Sequence, residues 1–119
     1  MKKVFYLSSC DTNKRILKEI DFGEEVELQD IKKENIDEKT LDLFKEKIGS
    51  YEALFSKRAM KYRSMGLNEM KLSEEDYKKY LLEEYTFLKR PFVILEEEVF
   101  VGNTKKTVDA IKEKYYSLK

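Results

Sequence analysis

The sequence contains no histidine and no tryptophan, one cysteine, Cys10, one proline, Pro91, and four glycines in 119 residues. Without an imidazole there is no base for a Ser-His-Asp or Cys-His hydrolase. Structural zinc sites and iron–sulfur clusters draw on several Cys or His ligands, a supply this chain does not have, so no metal site is expected. One thiol cannot close an internal disulfide, and the same count excludes a Cys-x-x-Cys dithiol cycle. Any redox cycle must borrow its second thiol from another molecule. Charge of one sign is also missing, because 24 Lys and Arg balance 24 Asp and Glu. No net field therefore gathers nucleic acid or an anionic membrane, and no direct nucleic-acid partner is expected. The apolar stretch Val4, Phe5, Tyr6 and Leu7 is far shorter than a signal-peptide core or a membrane span. The expectation is a cytoplasmic protein, and a lone thiol fits a reducing compartment.

Against these absences stand 41% apolar residues, eight Tyr and seven Phe, balanced by 40% charged residues. That mixture describes a packed core under a charged coat rather than a disordered chain, and the length is that of a single domain over residues 1–119.

Val4 to Leu7 reads as a short buried strand ending at Ser8 and Ser9. From Asp11 to Ile20 the apolar residues Ile16, Leu17 and Ile20 fall at helical spacing, with Gly23 just beyond as the expected stop. Val26 and Leu28 alternate with charged and polar neighbours, the period of a second strand running on into Asp30 and Ile31. Asp37 is an expected N-cap for a helix over 38–48, with Leu41, Phe44 and Ile48 on one face and Gly49 as its end. Short helices follow over 51–55, 57–65 and 73–85, the last capped by Ser73 with Tyr77, Tyr80, Leu81 and Tyr85 as its buried stripe.

After Arg90 and Pro91, two apolar runs over 92–95 and 99–101 flank Glu96, Glu97 and Glu98, a spacing that permits only a hairpin with an acidic tip. Thr104 caps a last helix carrying Val108, Ile111 and Tyr115 inward. The order β-α-β, helices, β-β, α is that of a thioredoxin-like α/β fold. Its core covers 1–36 and 86–119, and a helical insertion covers about 37–85. Pattern alone does not give the strand order.

Cys10 stands at the strand-to-helix turn, where helix N-terminal N–H groups and the helix dipole favour a thiolate over a thiol. Lys14, one turn on, and Thr12 add a cation and a hydroxyl to that anion-stabilising position. The other reading of a lone cysteine is a small, buried, inert hydrophobe. Lys57, Arg58, Lys61 and Arg63 put four cations into seven residues with Tyr62 among them, a solvated face or a binding surface. The three consecutive glutamates lack converging partners for a metal and protect a strand edge. For Pro91, residue pattern alone makes the trans isomer the default.

Three stretches together resemble the ArsC-like group of the thioredoxin superfamily, which contains glutaredoxin-linked arsenate reductases and Spx-type regulators. They are residues 6–15, with Cys10, Thr12 and Lys14; Phe55 through Tyr62 and Arg63 to Gly66 and Leu67; and residues 88–94 with Val101 and Gly102. The resemblance spans nearly the whole chain. It implies a split thioredoxin-like fold in which Pro91 is cis and brings Arg90 beside Cys10. Cys10 is then the nucleophile, Arg90 an anion clamp, and Thr12 and Lys14 stabilise the thiolate or a bound oxyanion.

Two further arginines of the family's arsenate pocket correspond here to Ser56, with Lys57 and Arg58 adjacent, and to Asn103. The second cysteine of the Spx switch corresponds to Asn13. Guanidinium forks suit tetrahedral oxyanions in a way Ser and Asn do not. The resemblance therefore implies a monothiol oxidoreductase with no bound cofactor, reduced by glutathione, glutaredoxin or thioredoxin, rather than an enzyme for arsenate itself. The alternative it implies is a non-catalytic regulator that binds RNA polymerase or another protein partner.

Overall fold

The computed structural model describes residues 1–119 and divides the chain into two compact units, one formed by Met1–Glu34 with Arg90–Lys119 and the other by Asn35–Lys89.

In the first unit, β1 (Lys2–Tyr6), α1 (Asp11–Ile20) and β2 (Glu27–Asp30) form the opening β-α-β, and β3 (Phe92–Leu95), β4 (Glu98–Val101) and α5 (Lys105–Ser117) close it. The sheet order is β2-β1-β3-β4. β1 runs parallel to β2 with Val4 opposite Leu28, and antiparallel to β3 with Val4 opposite Val93. The hairpin register pairs Leu95 with Glu98, so its tip is Glu96 and Glu97, and Glu98 belongs to the strand.

Val4, Val93 and Leu95 meet Ile16 and Ile20 of α1 and Val108, Ile111 and Tyr115 of α5 in one buried cluster. Strand alternation sends Phe5, Phe92 and Ile94 to the opposite face, and these are buried too. A strand with both faces covered reads as the unbroken apolar run seen over 92–95.

α1 does not stop at Gly23. Ile20 is its last core-facing residue, and Asp21 at once adopts the left-handed conformation (φ 56°) with its N–H on the Leu17 carbonyl, a geometry Asp tolerates better than most residues. Gly23 instead donates its N–H to the Tyr115 hydroxyl at 2.7 Å, and that hydroxyl donates to Glu25 at 2.7 Å. The loop is thereby tied to α5. At the far end of the same parallel pair, Ile31 donates to the Tyr6 carbonyl. Asp30 accepts from the backbone N–H of Ser8 at 3.2 Å and of Lys32 at 3.1 Å through one oxygen. A hydrogen bond from the Ser8 side chain is the chief cause holding the Asp30 carboxyl below its usual range, against partial burial.

The second unit is helical: α2 (Glu38–Ile48), α3 (Met60–Ser64) and α4 (Glu74–Glu83), with short 3-10 turns between and after them. Asp37 caps α2 by accepting from Thr40, and Gly49 ends it at φ 124°. Ser73 and Asp76 form a reciprocal capping box on α4. Ile48, expected inward, is 39% exposed: it is the last residue of α2, where Gly49 ends the helix, and the buried face is Leu41 and Phe44. α4 ends before Tyr85, which begins a 3-10 turn, and Tyr80 is only half-buried. The basic segment 57–65 contributes only the single turn of α3, which buries none of its residues. The interior is aromatic: Phe55 stacks on Phe87 at 4.7 Å and meets Tyr77 and Tyr62 edge-on.

Two expectations follow from this packing. Phe87 is fully buried, so Phe87→Ala should cost about 3–5 kcal/mol of unfolding free energy in a urea titration. For Asp30 the folded carboxyl titrates below its unfolded value of about 3.9, so its contribution is complete above that value and fades as pH falls through the folded one. Asp30→Asn should therefore lower the urea midpoint at pH 7, and the two proteins should converge as the pH drops below about 3.9.

Candidate functional site

β1 and β2 are parallel, while β3 runs against β1 and β4 against β3. The carboxyl ends of β1, β2 and β4 and the amino end of β3 therefore share one end of the first unit's sheet. In open α/β sheets, chemistry gathers outside the carboxyl ends of the parallel strands. Here that end carries the turn over residues 7–10, Asp30, Arg90 and Pro91, and Gly102 with Asn103.

The turn begins where β1 leaves the ladder. The Cys10 N–H donates to the Leu7 carbonyl at 3.0 Å, and the Lys14 N–H donates to the Cys10 carbonyl at 3.1 Å. Cys10 is thus the N-cap of α1, with extended backbone (φ −97°, ψ 113°). Its thiol is free and half-buried, and the side chain makes no capping hydrogen bond. First-turn N–H groups of a helix have no preceding carbonyl to bond, so α1 presents donors and its positive dipole end where the sulfur emerges. Asp11, exposed, is the acidic residue of that same first turn and opposes this field. Thr12 is half-buried and Lys14 exposed.

Two side chains that the sequence pattern did not single out as site residues hold this turn. Asn13 is 0% exposed and accepts from the Leu7 N–H at 2.9 Å, and Asp30 holds Ser8 from the neighbouring strand. Asn13 follows Cys10 by three residues, which makes it the N3 residue of a helix whose N-cap is Cys10. That position, together with a buried face of Ile16 and Ile20 one and two turns on, was the available signal for it. For Asp30 the signal was a carboxylate at the last position of the second parallel strand.

The Arg90-Pro91 bond is cis, as the resemblance implied. Pro91 is buried, Arg90 half-buried, and the Pro91 carbonyl accepts from Gly102, whose positive φ turns the chain into exposed Asn103. Lys57 and Arg58 belong to the second unit and are exposed. Lys57 pairs with Glu52 at 2.6 Å, a hydrogen bond that raises its ammonium above its ordinary range. A shallow depression of about 310 Å³ lies along β2, lined by Tyr6, Leu28, Asp30 and Lys33 among others, and does not include Cys10. No group of His, Cys, Asp and Glu side chains is placed to hold a metal ion, and no helix is long and apolar enough to cross a membrane.

Comparison with solved structures finds one shared fold over more than nine-tenths of the chain. The YffB protein superposes with a TM-score of 0.78 at 20% identity, covering 96% of this chain and 98% of that one. The arsenate reductase from Vibrio cholerae gives a TM-score of 0.74 at 13% identity, covering 94% and 97%. An arsenate reductase (ArsC) related protein from Brucella melitensis gives 0.68 at 21% identity, covering 92% of each chain. Comparison with curated proteins returns no match. The ArsC family profile matches residues 5–111, which takes in the Cys10 turn, the helical unit and the Arg90-Pro91 strand entry, and the chain belongs to the ArsC family.

Proposed function

We propose that this chain is a monothiol oxidoreductase whose nucleophile is Cys10 and whose reductant is an external thiol. The observation that carries the reading is a single free thiol, half-buried, at the N-cap of α1 and not used for capping. The thiolate attacks one sulfur of a substrate disulfide, forming a new S–S bond as the old one breaks. The second substrate sulfur leaves as a thiolate and takes a proton from solvent. Glutathione, or a cysteine of glutaredoxin or thioredoxin, then attacks the mixed disulfide and carries away the substrate half, returning Cys10 as thiolate. When the substrate is a glutathione-capped thiol and glutathione the reductant, the products are the free thiol and glutathione disulfide.

Arg90, entering β3 at the same sheet end, is the anion clamp in this scheme, and Thr12 and Lys14 supply first-turn stabilisation. Ser56 and exposed Asn103 replace guanidinium forks, which supports an oxidised-sulfur substrate over arsenate. A second reading, a non-catalytic module for RNA polymerase or another protein, draws on the segment 57–63, where Met60 is 89% exposed among exposed Arg58, Lys61 and Arg63.

The test is a glutathione-coupled assay on a glutathione-capped peptide and on a small neutral disulfide. Turnover by the native chain should fall to background in Cys10→Ser with the fold retained. Turnover surviving in that variant, or absent from the native chain, would overturn the oxidoreductase reading. Arg90→Ala should slow the anionic substrate by about 10-fold or more, the loss of one charge-assisted hydrogen bond, and the neutral one far less. Equal slowing of both removes the clamp from the scheme.

A further inference from the structure

Asn13 is the one buried polar side chain of the protein, at 0% exposure, on a helix face otherwise made of Ile16 and Ile20. Burying an amide among apolar groups costs free energy unless its hydrogen bonds are made. Only one of its two polar atoms is bonded. Oδ1 accepts from the Leu7 N–H at 2.9 Å, while Nδ2, equally shut off from solvent, has no partner. The amide cannot be turned over to relieve this, because the NH2 group would then face the Leu7 N–H donor. An orphaned buried donor of this kind carries its full desolvation cost with no bond to offset it.

The position of the amide indicates what would complete it. At N3 of a helix, a side chain reaches back toward the N-cap residue, which here is Cys10. In an ordinary capping box the N3 group would engage the N-cap N–H, but the Cys10 N–H is already on the Leu7 carbonyl. Asn13 takes the Leu7 N–H instead. The turn over residues 7–10 is thus tied at both ends of Leu7, once to Cys10 and once to Asn13, and the unsatisfied NH2 belongs to the N3 residue of the helix whose N-cap bears the sulfur. A thiol is a weak acceptor and a thiolate a strong one.

We infer that Asn13 is the positioning residue of Cys10: its Oδ1 locks the turn that presents the sulfur, and its Nδ2 is the donor held for that sulfur in the thiolate state. Ionisation of Cys10 sends the proton to solvent, moves no electrons, and gives the orphaned amide its acceptor. The inference rests on Cys10 being the nucleophile of the proposed reaction, but it concerns the sulfur and not turnover. Ionisable groups on the elements around this turn are Tyr6 of β1, Asp11, Lys14 and Arg15 of α1, Asp30 of β2 with Lys32 and Lys33 after it, and Arg90 ahead of β3. A control lacking only the thiol separates their titration from that of Cys10.

The experiment follows the Asn13 side-chain NH2 resonances of the 15N-labelled full chain from pH 5 to 10, assigned by their loss in Asn13→Ala. They should move with the same midpoint as the rate of Cys10 alkylation by iodoacetamide, and the movement should vanish in Cys10→Ser. Asn13→Ala should also shift the alkylation midpoint upward by about one pH unit, equivalent to about 10-fold in the thiolate equilibrium. A structural role alone would lower its unfolding midpoint and leave the alkylation midpoint in place. Resonances that stay still through the Cys10 titration overturn the inference, as does an unchanged alkylation midpoint in folded Asn13→Ala. Should that variant fail to fold, the titration of the native chain decides, with Asn13→Asp used for assignment. Tracking resonances in a chain without turnover would sustain Asn13 and discard the oxidoreductase, whereas turnover with still resonances would do the reverse.

Discussion

Everything at the Cys10 end of the protein depends on where β1 stops and which strands it holds. β1 is parallel to β2 on one side and antiparallel to β3 on the other, so its exit is also the exit of β2 and the entrance of β3. A parallel neighbour requires a crossover, and α1 is that crossover, so its N-terminus must start at the same exit. The coincidence of a thiol, a helix N-terminus, the Asp30 carboxylate and the Arg90-Pro91 entry follows from one strand's two pairings. Val4, buried at 0% and opposed by Leu28 and Val93, anchors that arrangement in the apolar cluster under α1 and α5.

Local chemistry made much of this legible in the sequence. The caps at Asp37, Ser73 and Thr104 sit where side-chain oxygens can reach an N3 amide, and each does so. The apolar run over 92–95 and its acidic neighbour could only be a hairpin, and Gly49 could take the positive φ that ends α2. What pattern misread was decided by tertiary geometry. Gly23 looked like the helix stop because glycine is the commonest such residue, but α1 runs out of core-facing residues at Ile20, and Asp21 closes it. Ile48 fits the helical period of Leu41 and Phe44, yet a period says nothing about where the neighbouring surface ends. Strand order lay outside the pattern altogether, since β1 between β2 and β3 is a long-range pairing.

The candidate site was legible in its thiol and not in its supports. Cys10 announces itself as a lone thiol between a strand and a helix. Asn13 does not, because an asparagine in the first turn of a helix is ordinary on the surface, and only burial makes it unusual. Asp30 reads as a strand-end polar residue until its hydrogen bonds to Ser8 are seen. Supports of this kind act on the backbone of other segments, and a sequence records such contacts only through their burial.

The same N3 position links the fold to the absence with which the sequence began. In a Cys-x-x-Cys turn, the residue three after the N-cap cysteine is the second sulfur, and it must approach the first to close a disulfide. Here that place holds an amide fully enclosed by the core and bonded to Leu7. The geometry that would let a resolving thiol reach Cys10 is spent on fastening the turn. A chain built this way gains a rigid platform for one sulfur and gives up internal resolution. In the proposed cycle the second thiol must therefore arrive from outside at the exposed edge of Cys10, and the polar and charged groups at that sheet end, Thr12, Lys14 and Arg90, are what it would meet there.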